Sequence, residues 1–148
     1  MSIYPGYLSI KSAIVSILEG VTSLKEVYSK EEKAPADFPA ACVSAKEHTA
    51  TFCSVGAGGT NERRYNHLVR IYFRTDEENN PDYEDILESV ADDVIFALES
   101  NVTLNNTCEY ALPTSGTWRF GNKQVPVRFL ELTVTSDVHV KRDTGELV

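Results

Sequence analysis

Thiol or imidazole chemistry in this chain would have to use three cysteines and three histidines. A cysteine nucleophile needs a base beside it, so the candidates are Cys53 or Cys108 with one histidine: His48, His67 or His139. The cysteines include no CxxC pair and the histidines lie far apart, so a zinc site would have to be assembled in space. Cys42 and Cys108 stand in alternating, strand-like segments, which favours buried and reduced thiols.

Metal-assisted chemistry would need a group of carboxylates, and the candidate patch is Glu88 with Asp92 and Asp93. Because neighbouring positions on a helix point about 100° apart, Asp92 and Asp93 do not converge on one ion. Neither the thiols nor the carboxylates have the spacing of a catalytic site. We therefore expect no enzymatic activity and no metal, and keep a small cytoplasmic enzyme as the remote alternative.

The tract 54–60, SVGAGGT, contains three glycines and few large side chains. It lacks the GK[ST] and the GxGxxG patterns of nucleotide-binding loops, so no cofactor is expected. The pattern predicts a hairpin loop between two long strands. Such loops often carry the contacts with a partner.

The strand after this loop is predicted from its alternation. Residues 63–74 place five side chains on one side as a buried face: Tyr65, His67, Val69, Ile71 and Phe73. On the other side, Arg70, Tyr72 and Arg74 are expected to keep their polar ends in solvent or against a partner.

An amphipathic helix is predicted next, because apolar residues from Tyr83 to Leu98 recur at spacings of three and four. Asn80 is expected as its N-cap and Pro81 as its first residue. Apolar residues from Ile10 to Val21 have the same spacing and predict a shorter helix, with Gly20 as its C-terminal stop.

Three further strands are predicted over residues 24–29, 107–112 and 127–140. Another strand is predicted to begin at Phe38-Pro39, because Ala41, Val43 and Ala45 alternate with polar residues. Residues 113–126 are rich in Pro and Gly and predict a long loop holding Trp118 and Phe120. These aromatic residues either fold back onto the core or anchor a partner.

This order of elements predicts an α+β fold, a mostly antiparallel sheet with two amphipathic helices packed on one face. The 148 residues suit a single domain, 1–148. No apolar run reaches the roughly 20 residues that span a bilayer, and the N-terminus lacks a signal-peptide pattern. The protein is expected to be soluble, made in the cytoplasm and not bound to a membrane.

Charge is unevenly distributed along the chain. Half of the 22 acidic residues lie between Arg74 and Arg119, a stretch without Lys or Arg. They form either a solvated helix face or an acidic surface in an assembly. The formal net charge of -8 argues against the chain gripping DNA, because nonspecific affinity comes from cations that neutralise phosphates. No specific nucleic-acid recognition is expected.

Several segments together resemble the tail terminator (tail completion) proteins of long-tailed, lambda-like bacteriophages. They are an N-terminal helix, FPAACV, NERRY, an acidic helix after DEENNP, YALP with a Gly-Trp segment, and RFLELTV. The resemblance implies a structural virion protein of the tail neck, assembled in the host cytoplasm. Family members form a hexameric ring that caps the head-proximal end of the tail tube, stops its polymerisation and contacts the head-tail connector. DNA passes through the lumen of that ring.

Contact residues are hypotheses drawn from loop composition and charge. Ring or tube contacts are expected at the glycine loop and the neighbouring arginines, and a second contact at the aromatic segment: Gly56, Gly58, Gly59, Arg63, Arg64, Arg70, Arg74, Trp118, Arg119 and Phe120. The arginines either pair with an acidic neighbouring subunit or are scattered surface charges. The alternative function is a head-tail connector or neck protein, and a tail tube subunit fits less well.

Overall fold

Five strands form one sheet in a computed structural model that describes residues 5–54, 58–76 and 82–148. The elements are α1 (Tyr7–Glu19), β1 (Glu26–Tyr28), β2 (Ala40–Phe52), β3 (Thr60–Arg74), α2 (Tyr83–Glu99), β4 (Tyr110–Asn122) and β5 (Pro126–Lys141). The strand order is β1-β2-β3-β5-β4, and all neighbours are antiparallel except β1 and β2. The predicted α+β fold is confirmed.

Both helices cover the same side of the sheet, called here the helix face. Their apolar stripes pack on the alternating side chains of β3 and β5, as expected from periods of 3.6 and 2 residues. The five β3 side chains predicted as core are all buried. In α1 the buried positions include Ile10, Ile14 and Leu18, and in α2 they include Leu87, Val94 and Leu98.

The opposite side of the sheet, the open face, is covered at one end by the segment between β1 and β2. A small cluster forms there from Cys42, Tyr72 and Val127, with Phe38 and Phe129 packed against it. Tyr72 is only 3% exposed, and its hydroxyl donates to Glu31 at 2.8 Å. The prediction that Tyr72 keeps its polar end in solvent is therefore wrong, because the β1–β2 segment covers it.

The predicted loop over 113–126 is also wrong, since β4 runs through to Asn122. Only residues 123–125 form the turn to β5, with Gln124 at a φ of 66°. β4 is an edge strand, where Pro is tolerated, and a register shift between Pro113 and Ser115 marks a bulge. Gly116 lies under Leu130 and Leu132, where an added Cβ would come within 3.2 Å of their methyl groups.

Element boundaries otherwise follow the sequence with smaller differences. α2 begins at Tyr83 with Asp82 as its N-cap, while Asn80 and Pro81 lie outside the described residues. Gly20 is the C-cap of α1, as predicted. Ala45 is exposed, unlike the buried Ala41 and Val43, and the register of β2 against β3 shifts between Ala45 and Glu47.

In the part of the chain that the structure describes, no helix is both long and apolar enough to cross a membrane.

Candidate interaction surface

The predicted contact residues lie at opposite ends of the sheet. The glycine loop joins β2 to β3 where Thr60 pairs with Lys141, whereas Phe120 pairs with Arg128 near the other end of β5. These two β5 positions are about 43 Å apart along an extended strand. The structure therefore does not bring the two predicted contact regions together. Gly56 lies outside the described residues.

At the hairpin end, Arg142 holds the described part of the glycine loop. Its backbone N–H donates to the carbonyl of Gly59 at 2.9 Å, and its guanidinium donates to the carbonyl of Ser54. A Cβ at Gly59 would overlap the Arg142 guanidinium and lie 2.8 Å from the Ser54 carbonyl oxygen, so a larger residue there would have to displace the Arg142 side chain. Gly58 has a φ of 74°. Sequence reasoning missed Arg142 because it lies in the segment after β5.

The four predicted contact arginines of β3 do not form one basic patch. Arg64 makes two hydrogen bonds to Asp137, at 2.8 and 3.1 Å, and Arg74 makes two to Asp76, at 2.8 and 3.2 Å. Arg63 is the neighbour of Arg64 in β3, and successive side chains of a strand point to opposite faces. The Arg63 side chain therefore lies on the face opposite to that of Arg64. These contacts within the chain reduce the charge that Arg64 and Arg74 offer to a neighbour.

Arg70 belongs to an ionic network on the open face, centred on Glu31. The Glu31 carboxylate accepts hydrogen bonds from Arg70 and Lys123 at 3.0 Å each and from Tyr72 at 2.8 Å. Arg70 also donates to Glu131 at 2.7 Å. Burial by itself raises the pKa of Glu31, but the hydrogen bonds from its three donors outweigh burial and lower that pKa. The network fastens the β1–β2 segment to the sheet.

The aromatic segment of β4 points in two directions. Trp118 and Phe120 lie on the helix face and are 37% and 69% exposed, whereas Arg119 lies on the open face. The guanidinium of Arg128 lies 4.3 Å from the ring centre of Phe120 and 5.6 Å from that of Trp118. Arg128 also contacts Glu84 of α2, with 2.9 Å between Nε and Oε1. The aromatic pair is thus fixed by a cation and remains accessible at the surface.

A groove of about 510 Å³ lies between α2 and β4, and we call it the α2–β4 groove. Its apolar lining comes from Ile95, Trp118, Leu130 and Leu132, and α2 adds two carboxylates, those of Glu88 and Asp92.

The third carboxylate of the candidate metal patch, Asp93, lies elsewhere and accepts a hydrogen bond from Ser23 at 2.9 Å. It is not among the residues that line the α2–β4 groove with Glu88 and Asp92. Across the described ranges, no three His, Cys, Asp or Glu side chains are grouped so that they could hold a metal ion.

The histidines hold elements of the fold together. His67 is fully buried, its Nε2 lies 3.0 Å from the carbonyl oxygen of Tyr7, and burial lowers its pKa. His48 Nδ1 lies 2.7 Å from the Tyr7 hydroxyl, and the ring of His48 stacks on Tyr65. Both contacts anchor the start of α1 to the sheet.

The sequence predicts that Cys42 and Cys108 are buried, and the structure agrees. Cys42 and Cys108 are buried and free, and Cys53 is exposed. Burial raises the pKa of Cys108 to about 11, which leaves almost no thiolate at neutral pH. The candidate nucleophile in the core is therefore poorly suited to attack.

Two strand edges have no backbone partner within residues 5–54, 58–76 and 82–148. β1 pairs with β2 only from Ala40 to Cys42, so the outer edge of 43–52 is open. At the opposite edge of the sheet, the backbone N–H of Ala111 donates to the carbonyl of Val102. From Leu112 to Asn122 the outer edge of β4 is open. Open edges of this length are templates for pairing with another chain.

No protein-family model matches the chain, and no curated protein is significantly similar to it.

Proposed function

We propose that the chain is a structural subunit of a tail-terminator ring that caps the head-proximal end of a phage tail tube. The observation that carries the proposal is the pair of open edges on β2 and β4, at opposite sides of one sheet. The chain also has the α+β architecture that the order of its elements predicts.

The directions of the two edge strands suit a closed ring. β2 is antiparallel to β3, β3 to β5, and β5 to β4, so β2 and β4 run in opposite directions. A second copy placed by rotation then brings its β2 edge antiparallel to the β4 edge of the first copy. Such a contact uses two different surfaces, and it forms a ring when the rotation closes.

In one register of the two edges, opposite charges meet. With the faces of the sheets aligned, Glu47 of one copy and Arg119 of the next both lie on the open face and can be set opposite each other. Because Glu47 is level with Leu112 of its own chain, this register offsets neighbouring copies by seven residues, as in a ring whose strands are tilted to its axis. Phe52 lies on the open β2 edge and is 71% exposed, so a contact along that edge would remove apolar surface from water.

Capping requires that the ring bind a tube end and offer no surface for the next tube subunit. The hairpin end and the β4–β5 turn end of each subunit differ in composition, so the two rims of a ring would differ as well. A net charge of -8 per subunit would also keep DNA from adhering as it passes. No chemical step is needed for this function.

The proposal is tested by the mass of the purified protein in light scattering, measured alone and with preassembled tail tubes. A hexamer has six times the 16.4 kDa of one chain. A ring-sized mass, alone or on tube ends, supports the proposal. A monomer that ignores tubes contradicts it and favours the alternative of a head-tail connector or neck protein, which would bind the head-side ring.

A further inference from the structure

The α2–β4 groove has an apolar floor and an acidic wall, and these two surfaces favour a ligand that is both apolar and basic. Its floor is formed by Ile95, Trp118, Leu130 and Leu132, and carboxylates on α2 form one wall. A volume of about 510 Å³ is enough for one or two side chains of a bound segment, and an apolar floor favours an aliphatic side chain.

The acidic wall is not neutralised from within the groove. Glu88 and Asp92 are both exposed, and no Lys or Arg is among the described residues that line the groove. The sequence also contains no cation between Arg74 and Arg119. The nearest basic residue of β5 on this face, Arg128, is engaged by Glu84. Two carboxylates one helical turn apart, without an ion-pair partner among residues 5–54, 58–76 and 82–148, therefore present negative charge to a ligand.

The aromatic pair of β4 enlarges the apolar part of this surface. Trp118 lines the groove and is 37% exposed, and Phe120, two residues further on the same face of β4, is 69% exposed. Large exposed apolar groups beside a concave floor are typical of protein interaction sites. A small polar ligand would leave this area uncovered, whereas a protein segment would cover it.

We propose that the α2–β4 groove binds a short segment of a partner protein in which an aliphatic side chain is flanked by Lys or Arg. The aliphatic side chain enters between Ile95 and Trp118, and the flanking cations lie against Glu88 and Asp92. Apolar burial supplies affinity and the carboxylates select the partner's charge. Trp118 also lies on the β4 edge that the proposed ring uses, so the peptide is tested on protein whose oligomeric state light scattering has fixed.

The intrinsic fluorescence of the intact protein gives a direct test, because Trp118 is its single tryptophan and lines the groove. The probe is a capped octapeptide with Leu between two Lys in a Gly-Ser background. We expect saturable change in Trp118 emission, and binding at least about threefold weaker when Leu is replaced by Ser or both Lys by Glu.

Matched variants separate the acidic wall from general charge attraction. The double substitution Glu88→Gln with Asp92→Asn should weaken peptide binding by about three- to tenfold. The control, Asp85→Asn with Glu99→Gln, changes the net charge of α2 by the same amount at exposed positions outside the groove. Its peptide affinity should stay within about twofold of the unmodified protein.

Three results would overturn the proposal. The first is no response of Trp118 to the Lys-Leu-Lys peptide at millimolar concentration. The second is equal weakening by both double variants, which would mean that the whole acidic helix attracts the peptide. The third is a fall in the mass of the assembled protein as the peptide binds, which would mean that a second copy fills the groove and the peptide displaces it.

Discussion

Replacing Glu31 by Gln removes the charge at the centre of the open-face network and keeps the shape of the side chain. Hydrogen bonds to charged groups contribute about 1.5–3 kcal/mol when buried, and exposed ion pairs contribute about 0.2–1 kcal/mol. The Glu31 side chain is 32% exposed, so the energies of its bonds to Arg70 and Lys123 should be closer to those of exposed ion pairs. Tyr72 is buried and keeps an acceptor in Gln. We therefore expect the free energy of unfolding at pH 7 to fall by about 1–2 kcal/mol.

Urea denaturation at pH 7 and pH 3 measures this effect and its origin. The pKa of Glu31 is lowered in the folded chain, so the unfolded chain takes up the proton first as the pH falls. The contribution is fully present above the ordinary pKa of a glutamate and is lost as the pH falls through the folded value. The difference between the two proteins should therefore shrink at pH 3. The reasoning would be refuted by a loss below about 0.3 kcal/mol at pH 7, or by an equal loss at both pH values.

Glu32→Gln is the matched control, since it makes the same chemical change at the next residue. Glu32 contacts the exposed Lys30 at 4.0 Å and takes no part in the network. Its effect on the free energy of unfolding should stay within about 0.5 kcal/mol. If Glu32→Gln lowered the free energy of unfolding as much as Glu31→Gln does, the loss of any charge in the β1–β2 segment would destabilise the protein.

Three further predictions concern other parts of the molecule. Because burial lowers the pKa of His67, the folded protein should lose stability as the pH falls below about 6.5, and His67→Gln should reduce the slope of stability against pH between 7.5 and 5.5 in urea denaturation. Gly59→Ala should lower the free energy of unfolding by about 1 kcal/mol, and less in an Arg142→Ala background, because the Arg142 guanidinium occupies the space that the methyl group needs. Arg119→Glu should weaken ring formation in light scattering, and adding Glu47→Arg should restore it; failure of the second change to rescue the first would argue against pairing of the β2 and β4 edges.

The elements predicted correctly are those in which one burial pattern dominates. β3 alternates because one face meets the helices, and α2 has a continuous apolar stripe because it packs on the sheet along its whole length. The hairpin between β2 and β3 follows from glycines between two strands. These features depend on local sequence, and local sequence is sufficient to predict them.

The errors arise where tertiary contacts decide the outcome. The Pro and Gly residues of β4 indicate a loop, but an edge strand tolerates Pro113 at a bulge and uses Gly116 for close packing on β5. Tyr72 is buried because a distant segment places Glu31 above it. No periodicity in the sequence marks Glu31 or Arg142, since each acts through a partner far along the chain.

The candidate surface was predictable in part. Trp118 and Phe120 were named as possible anchors, and both are accessible on the helix face. Their separation from Arg119 follows from the strand alternation that the loop prediction missed. The α2–β4 groove needs the packing of α2 against β4, and that packing cannot be read from either segment alone.

In the proposed function, this chain stops the growth of a tail tube by capping one end. Electron microscopy of preassembled tubes, incubated with the protein and then with fresh tube subunits, measures this directly. We expect density at one end of each tube and a length distribution that no longer shifts when tube subunits are added. Tubes that elongate as they do without the protein, with no density at either end, would contradict it.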